Sequence, residues 1–441
     1  MIKRISGWGR ANFSQTCLEP FANLEQLMGI DNGRGLIPRG LGRSYGDSAA
    51  NSGGITVETG SLNKIEIDSQ SGLSRLGAGV TIGELEKKSL SLGFFPPVVP
   101  GTSRVSIGGA IASDIHGKSH HRDGSFSCHV TEIILLTSAG HKITLRPYGS
   151  TSNLFWATVG GMGLTGIILE AQIQLKKVEN AFVIVQEKRA KNLNQLLDSL
   201  IEFDSKYQYT VAWIDLSGKY LGRGLVSGGN HASGSEVRRY VTRSQERGTR
   251  SRKFKVPNLF AIRLVNNFTI RAFNLLWFYK PGPKKLQKIE KFMHPLDGIE
   301  NWNIIYGKYG FIQYQFVVPY ERRDVIHLTL EKLHSAKIGS SLTVLKSFGE
   351  GSKGLISFPS SGWTLAIDLP AGHHLLSQTL KELDHLVICA GGRVYLTKDS
   401  RLTRKSLELM YPKLKDWKDV KVAIDPKNSW QSDQGRRLGL C

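Results

Sequence analysis

Three glycine-rich stretches carry residue types and spacings from which chemistry can be read. The first is Arg39-Gly40-Leu41-Gly42-Arg43-Ser44-Tyr45-Gly46-Asp47, directly after the apolar run Gly35-Leu-Ile-Pro38. The second joins Pro100-Gly101-Thr102 to Ser106-Ile-Gly-Gly-Ala-Ile-Ala-Ser-Asp-Ile-His-Gly-Lys118, and the third is Trp156-Ala-Thr-Val-Gly160-Gly-Met-Gly163-Leu-Thr-Gly166. Where no Cβ intervenes, backbone N–H groups can approach an anion closely, and several such groups converging suit a pyrophosphate. Alone, the first stretch reads equally well as an ordinary turn; three in succession read as a dinucleotide cradle. No helix with apolar periodicity follows the first stretch, so a Rossmann unit does not fit, and the cradle is read as one for a flavin dinucleotide.

The elements that must position these loops follow from local patterning. From Arg34 to about Leu175, short runs such as Gly54-Ile-Thr-Val57, Ile65-Glu-Ile67 and Ile133-Ile-Leu-Leu136 alternate with Gly, Ser, Asp and Asn turns. Helical patterns there are few: Asn23 to Met28, Ile82 to Lys87 behind Thr81 as N-cap, and Leu154 to Ala157. This predicts a mixed sheet with helices outside it. Beyond Val178 longer helical segments, Leu193 to Phe203 and Arg323 to Leu333, alternate with the strands Tyr209–Ile214 and Phe311–Val318, which predicts a second α+β domain. The expected organisation is 1–178 for the nucleotide domain, 179–392 for a substrate domain, and 393–441 as a segment returning to the first.

With 441 residues the chain is long enough for two cores, and its net charge of +21 points to an anionic partner, substrate or surface. Cys17, Cys128, Cys389 and Cys441 have neither disulfide-framework nor zinc-like spacing, which favours a reducing compartment. No signal-like start and no spanning apolar run are present, so the expected location is cytoplasmic, with peripheral contact at the inner membrane. Arg238 to Lys255 holds eight Lys or Arg against Glu246. It reads as a solvated loop or, beside Leu259–Val265, Phe273–Tyr279 and Lys280–Lys285, as an interfacial segment for lipid phosphates.

Taken together the chain resembles the vanillyl-alcohol-oxidase, or PCMH-type, FAD-binding oxidoreductases, and within them the decaprenylphosphoryl-β-D-ribose 2'-oxidase family. The resemblance rests on Gly7-Trp-Gly9, Gly40 to Asp47, Asp114-Ile-His-Gly-Lys-Ser-His-His121, Leu154-Phe-Trp-Ala-Thr-Val-Gly-Gly161, Tyr306 to Phe316, Lys398-Asp-Ser-Arg401 and Met410-Tyr-Pro412. It implies a two-domain α+β fold and FAD lined by Arg39, Gly40, Leu41, Gly42, Arg43, Ser44, Tyr45, Gly46, Asp47, Gly101, Ser106, Ile107, Gly108, Gly109, Ser113, Asp114, Ile115, His116, Ile168 and Tyr395. Relatives that bind flavin covalently carry Gly-His-Ser where this chain has Gly42-Arg43-Ser44, so non-covalent FAD is expected. No metal is implied.

The resemblance also implies a substrate pocket of His116, Lys118, Trp213, Tyr306, Gln313, Gln315, Lys346, Phe348 and Lys398 with Tyr45 beside the flavin. Such residues suit a phosphorylated sugar: lysines for phosphate, amides for hydroxyls, Trp213 for an apolar sugar face. Lys398, Tyr45 or His116 would polarise the reacting hydroxyl or take its proton; His120 and His121 are expected as loop residues. The implied reaction oxidises the 2'-hydroxyl of a polyprenylphosphoryl pentose, the first half of an epimerisation completed by an NAD(P)H-dependent short-chain reductase, in the supply of arabinan precursors for the cell wall. An oxidase of free alditols or aldonolactones is the alternative enzyme, and a nucleic-acid-binding protein, suggested by the charge, is set aside. Two departures touch the pocket: Thr364 in Gly362-Trp-Thr-Leu-Ala366, where the family has Asn, and Met162, where a polar residue is common.

Overall fold

The computed structural model describes residues 1–27, 33–216, 220–244, 254–255, 274–276, 278–279, 282, 284–340 and 342–441. The chain is an α+β protein of two domains. Its amino-terminal region contains two larger sheets and a two-stranded pairing of Phe94–Phe95 with Lys176–Lys177, not the single mixed sheet expected; a turn at Thr59–Leu62 (Leu62 N–H to Thr59 carbonyl, 3.1 Å) lies between the two larger ones. Ile2–Ser6, Phe13–Pro20, Ile55–Glu58 and Leu36–Arg39 form a four-stranded sheet whose last three strands are parallel. Ile65–Ile67, Leu73–Gly77, Ile167–Gln174, Val130–Leu136 and Lys142–Leu145 form an antiparallel five-stranded one. The helix Ile82–Leu90 starts where Thr81 and Glu84 cap each other reciprocally. Helix Ile107–Ala112 lies so close to the five-stranded sheet that a Cβ on Gly108 would meet that of Ala78 at 3.0 Å.

The second domain is an eight-stranded antiparallel sheet in the order Lys285–Lys288, Phe182–Ala190, Gly224–His231, Tyr209–Ile214, Thr343–Phe348, Gly362–Pro370, Phe311–Val318 and Arg393–Val394. Strand alternation decides what each face does. Ala212, Ile214, Tyr314, Phe316, Leu345, Leu365 and Ile367 are buried beneath the helices Leu193–Lys206, Asp324–Ser335 and Leu376–Cys389. The first of these helices presents Leu193, Leu196, Leu197, Leu200 and Phe203 at helical spacing, each such burial stabilising by about 1.5–3 kcal/mol. The alternate residues Trp213, Gln313, Gln315, Lys346, Ala366 and Asp368 face the amino-terminal domain instead.

Beyond Val394 the chain fastens onto the first domain. Trp430 bridges Leu36, Gln434 Nε2 donates to the Leu396 carbonyl at 2.7 Å, and the Arg437 guanidinium clamps Asp47 (2.7 Å) and Asp399 (3.0 Å). Of the basic Arg238–Lys255 run, residues 238–244 close the helix Gly234–Ser244 and Phe254–Lys255 pairs with Ile299–Glu300. The rest of that run, Leu259–Val265, Phe273, Trp277 and part of Lys280–Lys285 lie outside the described residues. Among the described residues no helix is long and apolar enough to cross a membrane.

Candidate active site

A cavity of about 1160 Å³ opens between the polar face of the eight-stranded sheet and the glycine loops, larger than the ~300–1,000 Å³ usual for a small-molecule pocket. All three glycine stretches reach it. Gly40 to Tyr45, Gly101, Ser106, Gly108, Gly109, Ser113, Ile115, His116, Lys118 and Ile168 line it from one side. Trp213, Tyr306, Gln313, Gln315 and Lys346 line it from the other, and Tyr395 and Lys398 come from the carboxy-terminal segment.

Six residues expected there do not line it. Arg39 braces the loop from behind, donating to the carbonyls of Ala49 (2.9 Å) and Ser6 (2.8 Å). Gly46 is pressed against the Asp399 backbone, and Asp47 is held by Arg437. Ile107 points into the hydrophobic core. Asp114, at φ +38°, turns its carboxylate away to accept from Ser127 (2.7 Å), Ser352 (2.6 Å) and Ser357, which fixes the turn presenting His116. Phe348 packs behind His116 and His120, ring centroids 4.7 and 4.2 Å away. His120 and His121 are also not loop residues: they begin the short helix His120–Asp123, where His120 is buried on Ser125 and His121 reaches the Tyr207 carbonyl.

The residues present fit a flavin dinucleotide. Gly42 adopts φ +61°, a Cβ on Gly40 would collide with Ser106 Oγ, and a Cβ on Gly101 would meet nothing within 4 Å, leaving backbone exposed along one side. Arg43 lies 4.0 Å over Trp8, and its Nε, like His116 Nδ1, is a buried donor on the cavity without a hydrogen-bond partner among the described residues. Buried donors of that kind call for an acceptor-rich ligand. Tyr395 closes the inner end, donating from its hydroxyl to the Ser113 carbonyl at 2.8 Å and stacking on Phe358.

The facing wall is strongly polar. Gln315 Nε2 donates to His116 Nε2 at 2.9 Å, which leaves the imidazole proton on Nδ1; burial first, then Lys346, holds His116 well below its ordinary range and therefore neutral. Burial pushes the Lys346 ammonium down to about 8, and burial with Lys346 nearby pushes Lys118 down to about 7. Lys118 also donates to the Met293 carbonyl at 2.8 Å. Lys398 is pushed down to about 7 by burial, with Asp368 opposing and Lys346 adding to the shift. Burial raises Tyr45 well above 10, so its phenol stays protonated. Such a wall can bind an anion and accept a proton at neutral pH.

Against known proteins, residues 30–146 match the FAD binding domain family model. Over 99% of its length the chain is 39% identical to the decaprenylphosphoryl-β-D-ribose oxidase of Mycolicibacterium smegmatis, of which it covers 98%. The chain belongs to the decaprenylphosphoryl-β-D-ribose oxidase family. An uncharacterised Streptomyces coelicolor protein is 35% identical over 82% of this chain and all of its own length, and the (R)-6-hydroxynicotine oxidase of Paenarthrobacter nicotinovorans is 27% identical over 39% of this chain and 38% of its own. As a member of the decaprenylphosphoryl-β-D-ribose oxidase family, the protein is an FAD-dependent oxidoreductase.

Two acids that the sequence reading passed over organise this family member's site. Asp368 is fully buried on the cavity face, accepting from Gln313 Nε2 at 2.5 Å and engaged by the Tyr306 hydroxyl; burial lifts it to about 7. An Asp within the run Trp363-Thr-Leu-Ala-Ile-Asp368-Leu-Pro370, on the face opposite the leucines, was the available signal. Asp297 accepts from Thr102 Oγ1 (2.6 Å), Ser103 N–H (2.7 Å) and Ser103 Oγ (2.6 Å), tying the Gly101 loop to the second domain. At the departures, Thr364 Oγ1 accepts from Gln315 Nε2 at 3.2 Å, Ala366 lines the cavity, and Met162 sits on its wall at φ +54°.

Proposed function

We propose that the chain oxidises the 2'-hydroxyl of a polyprenylphosphoryl pentose, of the decaprenylphosphoryl-ribose type, to the 2'-keto sugar. The observation that carries this is the convergence of Lys118, Lys346 and Lys398, all half-buried, on the cavity that the glycine loops also line. A neutral alditol or lactone would leave these lysines without an anion to offset their burial; a glycosyl phosphate provides one. Bound FAD supplies the acceptor for the two electrons and the hydrogen that leave C2'. This chain's residues do the rest: Lys118 and Lys346 hold the phosphoryl group, His116 Nδ1 and Gln315 orient sugar oxygens, Trp213 covers an apolar sugar face, and the Lys398 amine takes the hydroxyl proton beside Tyr45.

The keto sugar is then reduced by a separate NAD(P)H-dependent short-chain enzyme, since this sequence has no nicotinamide fingerprint. Exposed Leu275, Leu276 and Tyr279, beside Phe278 packed on Trp213 and Leu225, support peripheral contact with the lipid surface that presents the substrate. The test is to incubate the enzyme with polyprenylphosphoryl ribose, quench with borodeuteride and locate the label. A deuterium at C2' with both epimers formed is expected; label elsewhere, or none, refutes the assignment.

A further inference from the structure

Asp368 is the acid on the stretch of wall that carries Lys346 and Lys398. The other acids on the cavity are engaged elsewhere, Glu187 by Lys285 and Asp297 by Thr102 and Ser103. Among the described residues its carboxylate forms no ion pair; neutral donors fix it, Gln313 at 2.5 Å and the Tyr306 hydroxyl. Gln313 in turn contacts the Tyr45 hydroxyl, and Lys398 Nζ lies 3.7 Å from the centroid of the Tyr45 ring. A direct ion pair would hold Lys398 as an ammonium and remove its lone pair. A carboxylate tethered one amide away leaves the amine free to accept a proton, and then stabilises the charge that results.

We infer that Asp368 is a positioning residue for Lys398: held by Gln313 and Tyr306, its negative charge makes the Lys398 amine a strong enough base to take the substrate's hydroxyl proton. The inference rests on the function proposed above. In the step, the O–H bond breaks, the proton passes to the Lys398 amine, and the new ammonium faces Tyr45 and Asp368. Lys398 is also faced by Lys346, which opposes a positive charge, and lies near the neutral His116. Asp368 is faced by Gln313, Tyr306 and Lys398 and lies near Tyr45.

The test compares flavin-loaded wild type with Asp368→Asn, following the rate of flavin reduction by polyprenylphosphoryl ribose across pH, together with binding of the 2'-deoxy analogue, which cannot react. Because the carboxylate raises the lysine's affinity for protons, its loss should move the acid limb of the rate profile down by about one pH unit. The plateau should fall and analogue binding should be unchanged. Asp368→Glu should return the limb toward its wild-type position. A limb that stays in place while the rate drops at every pH overturns the inference. If Asp368→Asn does not retain flavin, Asp368→Ser, which likewise removes the carboxylate, carries the same test with the same two outcomes. Wild type that fails to oxidise the lipid-linked pentose overturns the substrate assignment and this inference together, whereas turnover with an unmoved limb overturns this inference alone.

Discussion

Lys398 Nζ lies 3.7 Å from the centre of the Tyr45 ring, and the Tyr45 N–H donates to the carbonyl of Thr397, the residue next to that lysine, at 2.9 Å. The proton-accepting amine is thus anchored by its own neighbour to the first glycine loop, so cofactor site and chemistry share one rigid contact. Lys398→Met keeps the length and volume of the side chain and removes the amine. It should retain flavin while anaerobic flavin reduction slows about 10²–10⁴-fold; a loss below about tenfold would move the proton transfer to another group.

Lys346 projects from Thr343–Phe348 beside the ring of Phe348 and, among the described residues, forms no ion pair. Lys346→Met should weaken binding of the phosphoryl sugar by about 1.5–3 kcal/mol, roughly 10- to 150-fold in KM. The maximal rate should change much less. Equal losses for a free alditol and for the phosphoryl sugar would show that the lysine does not read phosphate.

Features written in local spacing were legible in the sequence. Alternation marked Tyr209–Ile214 and Phe311–Val318, and Thr81 marked the start of a helix, because period and capping act within a few residues. The glycine loops were legible as a cradle for the same reason. Residues whose meaning lies in distant contacts were not. Asp47 and Asp114 sit inside the recognised motifs yet serve as clamps, toward Arg437 and toward Ser127, Ser352 and Ser357. Asp297 could not be tied to Thr102, nor Glu86 to His294 (2.8 Å), since nothing local records that the chain returns there.

Burial has pushed Lys118, Lys346 and Lys398 down to about 7, 8 and 7. Above pH 8 they are largely amines, and a bound phosphate favours the ammonium forms of Lys118 and Lys346, which hold it. Substrate binding at pH 8.5 should therefore take up protons, and affinity should fall as pH rises from 7 to 9. Titration calorimetry in two buffers of different ionisation enthalpy measures the uptake; zero uptake would mean that the lysines stay charged in the free enzyme. In the ligand-free protein the same shifts have a definite sign. The unfolded chain, with lysines near 10.4, binds more protons between about pH 7 and 10, so these groups add stability as pH rises through that window.

Arg43 stands on the cavity with its guanidinium over Trp8 and offers no ring nitrogen for a covalent flavin bond. Precipitation with acid should release the yellow cofactor into the supernatant. Flavin remaining with the pellet would show attachment through another side chain.

If a lysine-lined wall presents a lipid-linked phosphoryl pentose to a flavin held by glycine loops, that sugar should reduce the flavin far faster than uncharged or lipid-free ones. The direct test is anaerobic mixing of the purified holoenzyme with polyprenylphosphoryl ribose, ribose 5-phosphate, ribitol and an aldonolactone, each followed at the oxidised-flavin absorption band. The expected result is rapid bleaching by the lipid-linked pentose, little by the free phosphate ester, and none by ribitol or the lactone. Bleaching by ribitol or the lactone as fast as by the lipid-linked sugar would contradict it.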